Sequence, residues 1–484
     1  MRRIPSIHRR GDMRLLLLGC VVGLSLSATA AVAADPDRQR RVETGLMGAA
    51  VFGDRPETWS LESRMAHWKV PGVSIAVVDD GKIVWAKGYG VLAAGEPAPV
   101  TARTRFQAAS ISKPVAAAGA LSLVETGQLS LDGDVSKVLK TWTLPANPYT
   151  AERPLTLRDL LSHTGGTSQH GFPGYAQGAA VPTLTQLLDG KAPASNPAIT
   201  FEARPGERWK YSGGGYEIAE QVMIDAAGKP FPDILAERVF KPAGMAASGY
   251  ARPDMGAFAL AHGRDGRTIP GGWHTYPEHA AAGLWTTPTD LARFGIALSR
   301  GWQGKAGGML KPGTVKAMAT EVKDGYGLGV GLQGEGEAFA LIHGGANRGF
   351  KANWVIHPGS GDGVAVMTNG EAGDLLAREI LRAVARTYDW PDYRPEVYQP
   401  HALPPDVLAS RVGDWSVGEG DKRMVFPAKL VDGRLVFVTP RGEFGFVPIG
   451  PTTMVSVDLG IKAEFSKTED GRDKARVFGE TLTK

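Results

Sequence analysis

Two apolar runs, Val73-Ser-Ile-Ala-Val-Val78 and Ile83-Val-Trp-Ala-Lys-Gly-Tyr89, flank the polar turn Asp79-Asp-Gly-Lys82. β-Branched residues on both sides of an Asp-Gly turn predict a β-hairpin. Ahead of it, Asp37–Trp68 reads as a polar leader and an amphipathic helix. Behind it, Ser110–Thr126 is an apolar, Ala-rich helix. From there to about Arg300 the pattern is helical and loop-rich, through Leu157–Gly166, Tyr216–Ala227 and Pro288–Leu298. Strands return at Ala338–His343, Lys351–His357 and Gly363–Thr368, and a last helix covers about Asp374–Tyr388. These late strands are short and bounded by glycine, so their expected pairing is antiparallel. Strands at both ends with helices between predict one sheet built from both ends, a helical lobe, and a cleft between the two.

Beyond this block, Tyr388–Pro405 contains Pro391, Pro395, Pro400, Pro404 and Pro405, a stiff linker. Val412–Phe478 then alternates strands with turns at Asp432-Gly433 and Asp470-Gly471, the signature of a small all-β domain. At the other end, a basic stretch through Arg14 precedes the apolar run Leu15–Leu24 and the exit Ala31-Val-Ala33. Those three parts make an export signal, and the apolar run is short for a spanning helix. The expected division is a signal at 1–33, a main domain at 36–390, a linker at 391–405 and an all-β domain at 406–484. The expected fold class is α/β (α+β), an antiparallel sheet flanked by helices plus an all-helical lobe.

Composition narrows the chemistry. Hydrophobic residues make up 43% and charged residues 21%, as in soluble globular proteins. Arg2, Arg3, Arg9, Arg10 and Arg14 against Asp12 account for the whole formal charge of +4. The remaining chain is formally neutral, so neither nucleic acid nor a membrane surface is an expected partner. Cys20 is the only cysteine, which removes disulfides, thiolate nucleophiles and cysteine zinc sites from the mature chain. Leu-Leu-Gly-Cys20 resembles a lipoprotein box, but the apolar run continues past it, and a lipid anchor at Cys20 is the minor alternative to simple export. The histidines are scattered, with no His-Glu-x-x-His, and no metal or other cofactor is expected.

Three stretches carry candidate chemistry. Ser110 stands three residues before Lys113, a spacing that puts two side chains on one helix face. The first turn of a helix offers free N–H groups and a positive dipole end, and a buried lysine can serve as a base. Together they describe an activated nucleophile. Alone, the pair more readily describes a helix N-cap serine followed by a surface lysine. Trp209-Lys-Tyr-Ser-Gly-Gly-Gly-Tyr216 puts Tyr211 beside glycines, where a substrate backbone could approach, or where a tyrosine simply packs on the core. Ile342-His-Gly-Gly-Ala-Asn-Arg-Gly349 reads as a strand end running into glycines, where exposed N–H groups could line a cleft.

In this order, Ser-x-x-Lys, Tyr-Ser-x and Lys/His-x-Gly resemble the motifs of the serine β-lactamase and penicillin-binding-protein-like hydrolases. The spacings look like the class C β-lactamase, DD-peptidase and β-lactamase-like esterase branch. Leu160-Leu-Ser-His-Thr-Gly-Gly166, Pro205-Gly206, Ala282–Arg293 and Met367-Thr-Asn369 fit as well, over roughly residues 50–390. The resemblance implies an exported serine hydrolase acting through an acyl-enzyme on a small-molecule or cell-wall-peptide substrate. It makes Ser110 the nucleophile and Lys113 and Tyr211 the proton-handling pair, with the choice of base open. The N–H groups of Ser110 and Ala346 become the oxyanion hole. His343 takes the triad position at the substrate's acid end, and Gly213, Gly344, Gly345 and Asn347 line the substrate.

Two positions depart from the β-lactamase pattern: Gly213 replaces an asparagine that binds the acylamino group, and His343 replaces a lysine that attracts the carboxylate. Losing such a charged partner is worth about 1.5–3 kcal/mol. The expectation is therefore an esterase or peptidase in preference to an efficient β-lactamase. A class C-like β-lactamase or DD-peptidase is the alternative. A non-catalytic envelope protein that binds wall peptides is a second one. At an ordinary histidine pKa of about 6.5, His343 would titrate in the working range.

Overall fold

The computed structural model describes residues 35–54, 56–251 and 258–484; the expected export signal at 1–33 and Cys20 lie outside them. Asp37–Trp68 forms two short helices, not one. α1 (Pro36–Thr44) is capped by the Asp35 carboxylate, and α2 (Leu61–His67) by Ser60 Oγ on the Ser63 N–H. The hairpin is where the apolar runs place it, as β1 (Gly72–Asp79) and β2 (Lys82–Gly90).

The helical lobe includes α3 (Ser112–Glu125), α4 (Leu157–Leu161), α5 (Gly213–Ala227) and the short α6 (His279–Ala282). α7 (Pro288–Trp302) then leads back to the strands β3 (Gly331–Gln333), β4 (Ala340–Asn347), β5 (Phe350–Ile356) and β6 (Gly363–Thr368). α8 (Gly373–Thr387) follows. The sheet is antiparallel throughout, in the order β2-β1-β6-β5-β4-β3. β1 and β6 are therefore central, which explains their unbroken apolar runs: both faces are covered. α7 packs on one face, while α1, α2 and α8 share an apolar core on the other. β4 outruns its expected end at His343, because β5 pairs with it residue by residue as far as Asn347.

The C-terminal region is a closed barrel of eight antiparallel strands. They are β7 (Gly413–Val417), β8 (Met424–Val431), β9 (Arg434–Thr439), β10 (Gly442–Pro448), β11 (Thr453–Ser456), β12 (Lys462–Lys467), β13 (Asp473–Val477) and β14 (Glu480–Thr483). Asp432-Gly433 and Asp470-Gly471 lie at hairpin turns, as their sequences require. The proline-rich stretch is anchored: Glu396–Tyr398 pairs in parallel with Ala50–Phe52. Trp68, Leu375, Leu376, Trp415, Phe437 and Phe444 belong to one continuous core.

A buried ionic cluster spans the same joint. Arg64 donates to both Glu379 oxygens at 2.9 and 2.6 Å and to Asp458 at 2.7 Å, and Trp68 Nε1 donates to Glu379 at 2.9 Å. Asp458 follows β11, so the barrel contributes directly to the sheet's covering layer. A chain stopped near Pro391, which a linker reading would expect to stand alone, loses about a third of this core. It should be insoluble or melt far below the full chain. Arg64→Ala should cost about 3–5 kcal/mol, because Glu379 is left buried and unpaired. Thermal unfolding of both proteins checks this; parent-like melting of a soluble truncation would show that the barrel is dispensable.

Candidate active site

Ser110 lies in a tight 3₁₀ turn, Ala109–Ile111, just ahead of α3 and not within it. The turn is strained: Ala109 has φ +50°, a left-handed conformation that costs a residue with a side chain about 1–3 kcal/mol. Ser112 holds it in place. Its Oγ donates to the Ala109 carbonyl at 2.6 Å and accepts from the Leu284 N–H at 3.0 Å. The turn leads directly into α3, so the three-residue spacing still brings the pair together. Lys113 Nζ donates to Ser110 Oγ at 3.1 Å and to the Ala281 carbonyl at 2.8 Å. It is 2% exposed and faces the rings of Tyr211 and Tyr216, 4.8 and 5.6 Å from their centroids.

Tyr211 precedes α5, whose N-terminus is capped by Ser212 Oγ on the Gly215 N–H. Its ring lies 4.2 Å from that of His163 and 4.9 Å from that of His170. His163 Nδ1 accepts from the Ser212 N–H at 3.1 Å. Burial, then the Lys113 charge, holds the His163 pKa well below its ordinary value, so this ring is a neutral support for Tyr211. The glycines after Tyr211 serve packing. A Cβ on Gly213 would lie 3.0 Å from the Phe172 ring and 3.2 Å from the His170 carbonyl oxygen. A side chain there would need the 170–173 loop to give by a few tenths of an ångström.

β4 closes the other side. A Cβ on Gly345 would stand 2.1 Å from the Ala108 carbonyl oxygen, so only glycine lets the strand pass the Ser110 turn. Asn347 and Phe350 close a two-residue turn, and Ala346 sits opposite Lys351. In that register Ala346 is a non-hydrogen-bonded position, with its N–H turned away from β5. β3 pairs only with Ala340–Ile342, so the Gly344 and Ala346 amides face the open edge.

His343 differs from expectation. Its Nδ1 meets the Gly344 carbonyl at 2.6 Å, so that nitrogen carries the proton, and Nε2 accepts from the Tyr326 hydroxyl at 3.1 Å. Burial, then the Lys113 charge, pushes its pKa down to about 3. It is a neutral partner of Tyr326 throughout the working range and brings no charge to a substrate acid. Asn347 is also committed to the protein, donating to Gln107 at 2.8 Å and to the Ala282 carbonyl at 3.2 Å.

The sequence reading missed what lies behind Lys113. Glu217 accepts from the Ala281 N–H at 3.0 Å and Glu220 from the Ala280 N–H at 2.7 Å. The segment whose Ala281 carbonyl holds Lys113 is thereby tied from the rear through the preceding peptide groups. Glu278 is wholly buried beside them with both carboxyl oxygens unpartnered. Burial pushes Glu220 and Glu278 up to about 8 and Glu217 well above its ordinary value. Two glutamates three apart on an otherwise apolar helix face were the available signal.

Ser110, Lys113, Tyr211, Gly213, His343, Gly344, Gly345, Ala346 and Asn347 all line one cavity of about 970 Å³. Its far end carries Arg264, Arg348, Arg378 and, from the barrel's β9–β10 turn, Arg441. Among the described residues, no group of three or more His, Cys, Asp or Glu is placed to hold a metal ion, and no helix is long and apolar enough to cross a membrane. The family model described as Beta-lactamase matches residues 60–388. The chain belongs to the β-lactamase family.

Similar family members include penicillin-binding protein 4 of Amycolatopsis lactamdurans, 28% identical over 373 residues that cover 70% of this chain and 94% of that protein. A D-aminopeptidase of Brucella anthropi is 26% identical over 307 residues, 61% of this chain and 56% of that protein. The solved structure of the octameric penicillin-binding protein homologue from Pyrococcus abyssi matches with a TM-score of 0.59 at 22% identity, covering 88% of this chain and 99% of that one. That likeness concerns the fold.

The two serines of the family motif should separate cleanly. Ser110→Ala should abolish acylation without lowering the melting temperature. Ser112→Ala strands a buried carbonyl and N–H at a cost of about 1–3 kcal/mol, so it should melt lower while keeping measurable activity. Equal losses of activity at unchanged stability would contradict this assignment. A second expectation concerns pH. A carboxyl whose folded pKa of about 8 exceeds its ordinary 4.5 binds its proton more tightly in the folded state. Stability should then fall as pH rises from about 4.5 to 8. Glu278→Gln should shrink the melting-temperature difference between pH 5 and pH 8; an unchanged difference would show that Glu278 does not titrate there.

Proposed function

We propose that this chain is an exported, periplasmic serine hydrolase that cleaves ester or amide bonds through an acyl-enzyme on Ser110, with esters and peptides preferred over β-lactams. The observation that carries the proposal is the 3.1 Å contact between Lys113 Nζ and Ser110 Oγ on the floor of a cleft large enough for a small substrate. Lys113 takes the Oγ proton while Oγ bonds to the substrate carbonyl carbon. Tyr211 faces Nζ with its ring, so the direct contact favours Lys113 as the base. The carbonyl oxygen gains charge and is held by the N–H groups of Ser110 and Ala346, a form of stabilisation often worth several kcal/mol. The bond to the leaving group breaks, and that group departs with the proton returned by Lys113. Water then repeats the sequence on the acyl-enzyme and releases the acid. The partners so implied are a small molecule or a cell-wall peptide, not nucleic acid.

The substrate preference rests on two features. Gly213, with Phe172 and the His170 carbonyl beside it, offers no side-chain amide for an acylamino group. His343 is neutral, so it offers no counter-charge for a β-lactam carboxylate. Relatives whose names refer to penicillin binding and D-aminopeptidase activity support acyl transfer in general.

A fluorophosphonate should label the protein at Ser110, as mapped by mass spectrometry, and fail on Ser110→Ala. Among p-nitrophenyl esters, D-amino-acid amides and a chromogenic cephalosporin, the best ester or amide should exceed the cephalosporin in kcat/KM by at least about tenfold, the low end of one lost charge-assisted contact. Label retained by Ser110→Ala would refute the nucleophile, and a faster cephalosporin would refute the preference.

A further inference from the structure

A second cavity of about 730 Å³ lies between α8 and the rim of the barrel. Its walls are apolar, with Leu375, Phe426, Phe444, Leu459, Ile461 and Phe478. The floor is built at a cost. Phe478 and Gly479 form the two-residue turn between β13 and β14, with φ of +57° and +80°. Such turns favour Asn, Asp or Gly at both positions, and a bulky residue there is strained. The Phe478 ring nevertheless packs on Phe426, Phe437, Phe444 and Phe446, with centroids 5.9–6.1 Å away. The strained aromatic thus seals the barrel end and forms an aromatic base to the cavity.

The polar lining has one sign. Arg378, Arg441, Lys462 and Arg476 stand against Glu464 alone. Arg441 is paired with Asp374 at 3.2 Å. Among the described residues, no carboxylate lies within ion-pair distance of Arg378, Lys462 or Arg476, although Glu464 stands opposite Arg476 across the β12–β13 ladder. Cavities of this size with apolar walls and a few convergent polar groups are the usual form of small-molecule sites. An apolar body would fill the aromatic base, and unpaired guanidinium groups suit a carboxylate head.

We infer that the barrel mouth is a binding site for an amphiphilic carboxylate, a molecule with an acid head and an apolar tail. The site is distinct from the Ser110 cleft and does not require its chemistry. Arg378 and Arg441 line both cavities, so the bound head would lie against the wall they share.

The test is isothermal titration of the full chain carrying Ser110→Ala, with dodecanoate below its micelle concentration at pH 8. Dodecyltrimethylammonium and acetate are the controls. Dodecanoate should bind saturably at one site, acetate should give no binding, and the cationic amphiphile should bind at least about tenfold more weakly. Arg476→Glu and Lys462→Glu lie outside the catalytic cleft and on the surface, so they should keep the fold and each weaken dodecanoate by at least about tenfold. Phe478→Gly suits the turn and should keep the barrel, as seen by circular dichroism, while weakening dodecanoate. The absence of saturable binding would overturn the inference. So would equal binding of the cationic amphiphile, or affinity unchanged in all three variants, which would place the ligand elsewhere.

Discussion

The structure depends on keeping one amine, that of Lys113, buried without a carboxylate in contact. Its partners are neutral: the Ser110 hydroxyl, the Ala281 carbonyl and two aromatic faces. Much of the surrounding sequence serves this condition. His163 and His343 are kept neutral by burial and by the lysine's own charge. The acids behind Lys113 act through the peptide N–H of Ala281, not through direct contact.

Positioning the serine is a matter of backbone strain balanced by packing. Ala109 adopts an unfavourable conformation, and the surroundings leave it no alternative. Ser112 ties its carbonyl to α3 and the Leu284 amide, while β4 passes so closely that only a glycine fits at 345. Strain persists where the neighbouring structure over-determines it, and such places cluster at reactive groups. The same logic recurs at Phe478, where aromatic packing opposes the turn's preference.

The barrel changes the meaning of the domain division. No residue beyond the proline-rich stretch belongs to the family motifs, yet the barrel completes the core under the sheet and supplies Asp458 to a buried ionic cluster. Its β9–β10 turn brings Arg441 to the rim of the cleft, where the Arg441 carbonyl accepts from Arg264 at 3.1 Å. The Ser110 cleft is therefore walled by different parts of the chain.

What the sequence determined by itself is what short-range physics controls. Alternation and turn residues set the β1–β2 hairpin and the barrel's Asp-Gly turns. A three-residue spacing set the Ser110–Lys113 contact, even though the helix begins two residues later than its pattern implies. Ordered motifs identified the family. Tertiary structure alone decided the rest, because the deciding partners are far apart along the chain. Phe172 stands beside Gly213, and the Tyr326 hydroxyl takes the second ring nitrogen of His343. Glu217 reaches Ala281, and Asp458 reaches Arg64. Glycine, histidine and glutamate each admit several roles in a local pattern. Which role each takes follows from the burial and hydrogen-bond partners that only the packed chain supplies.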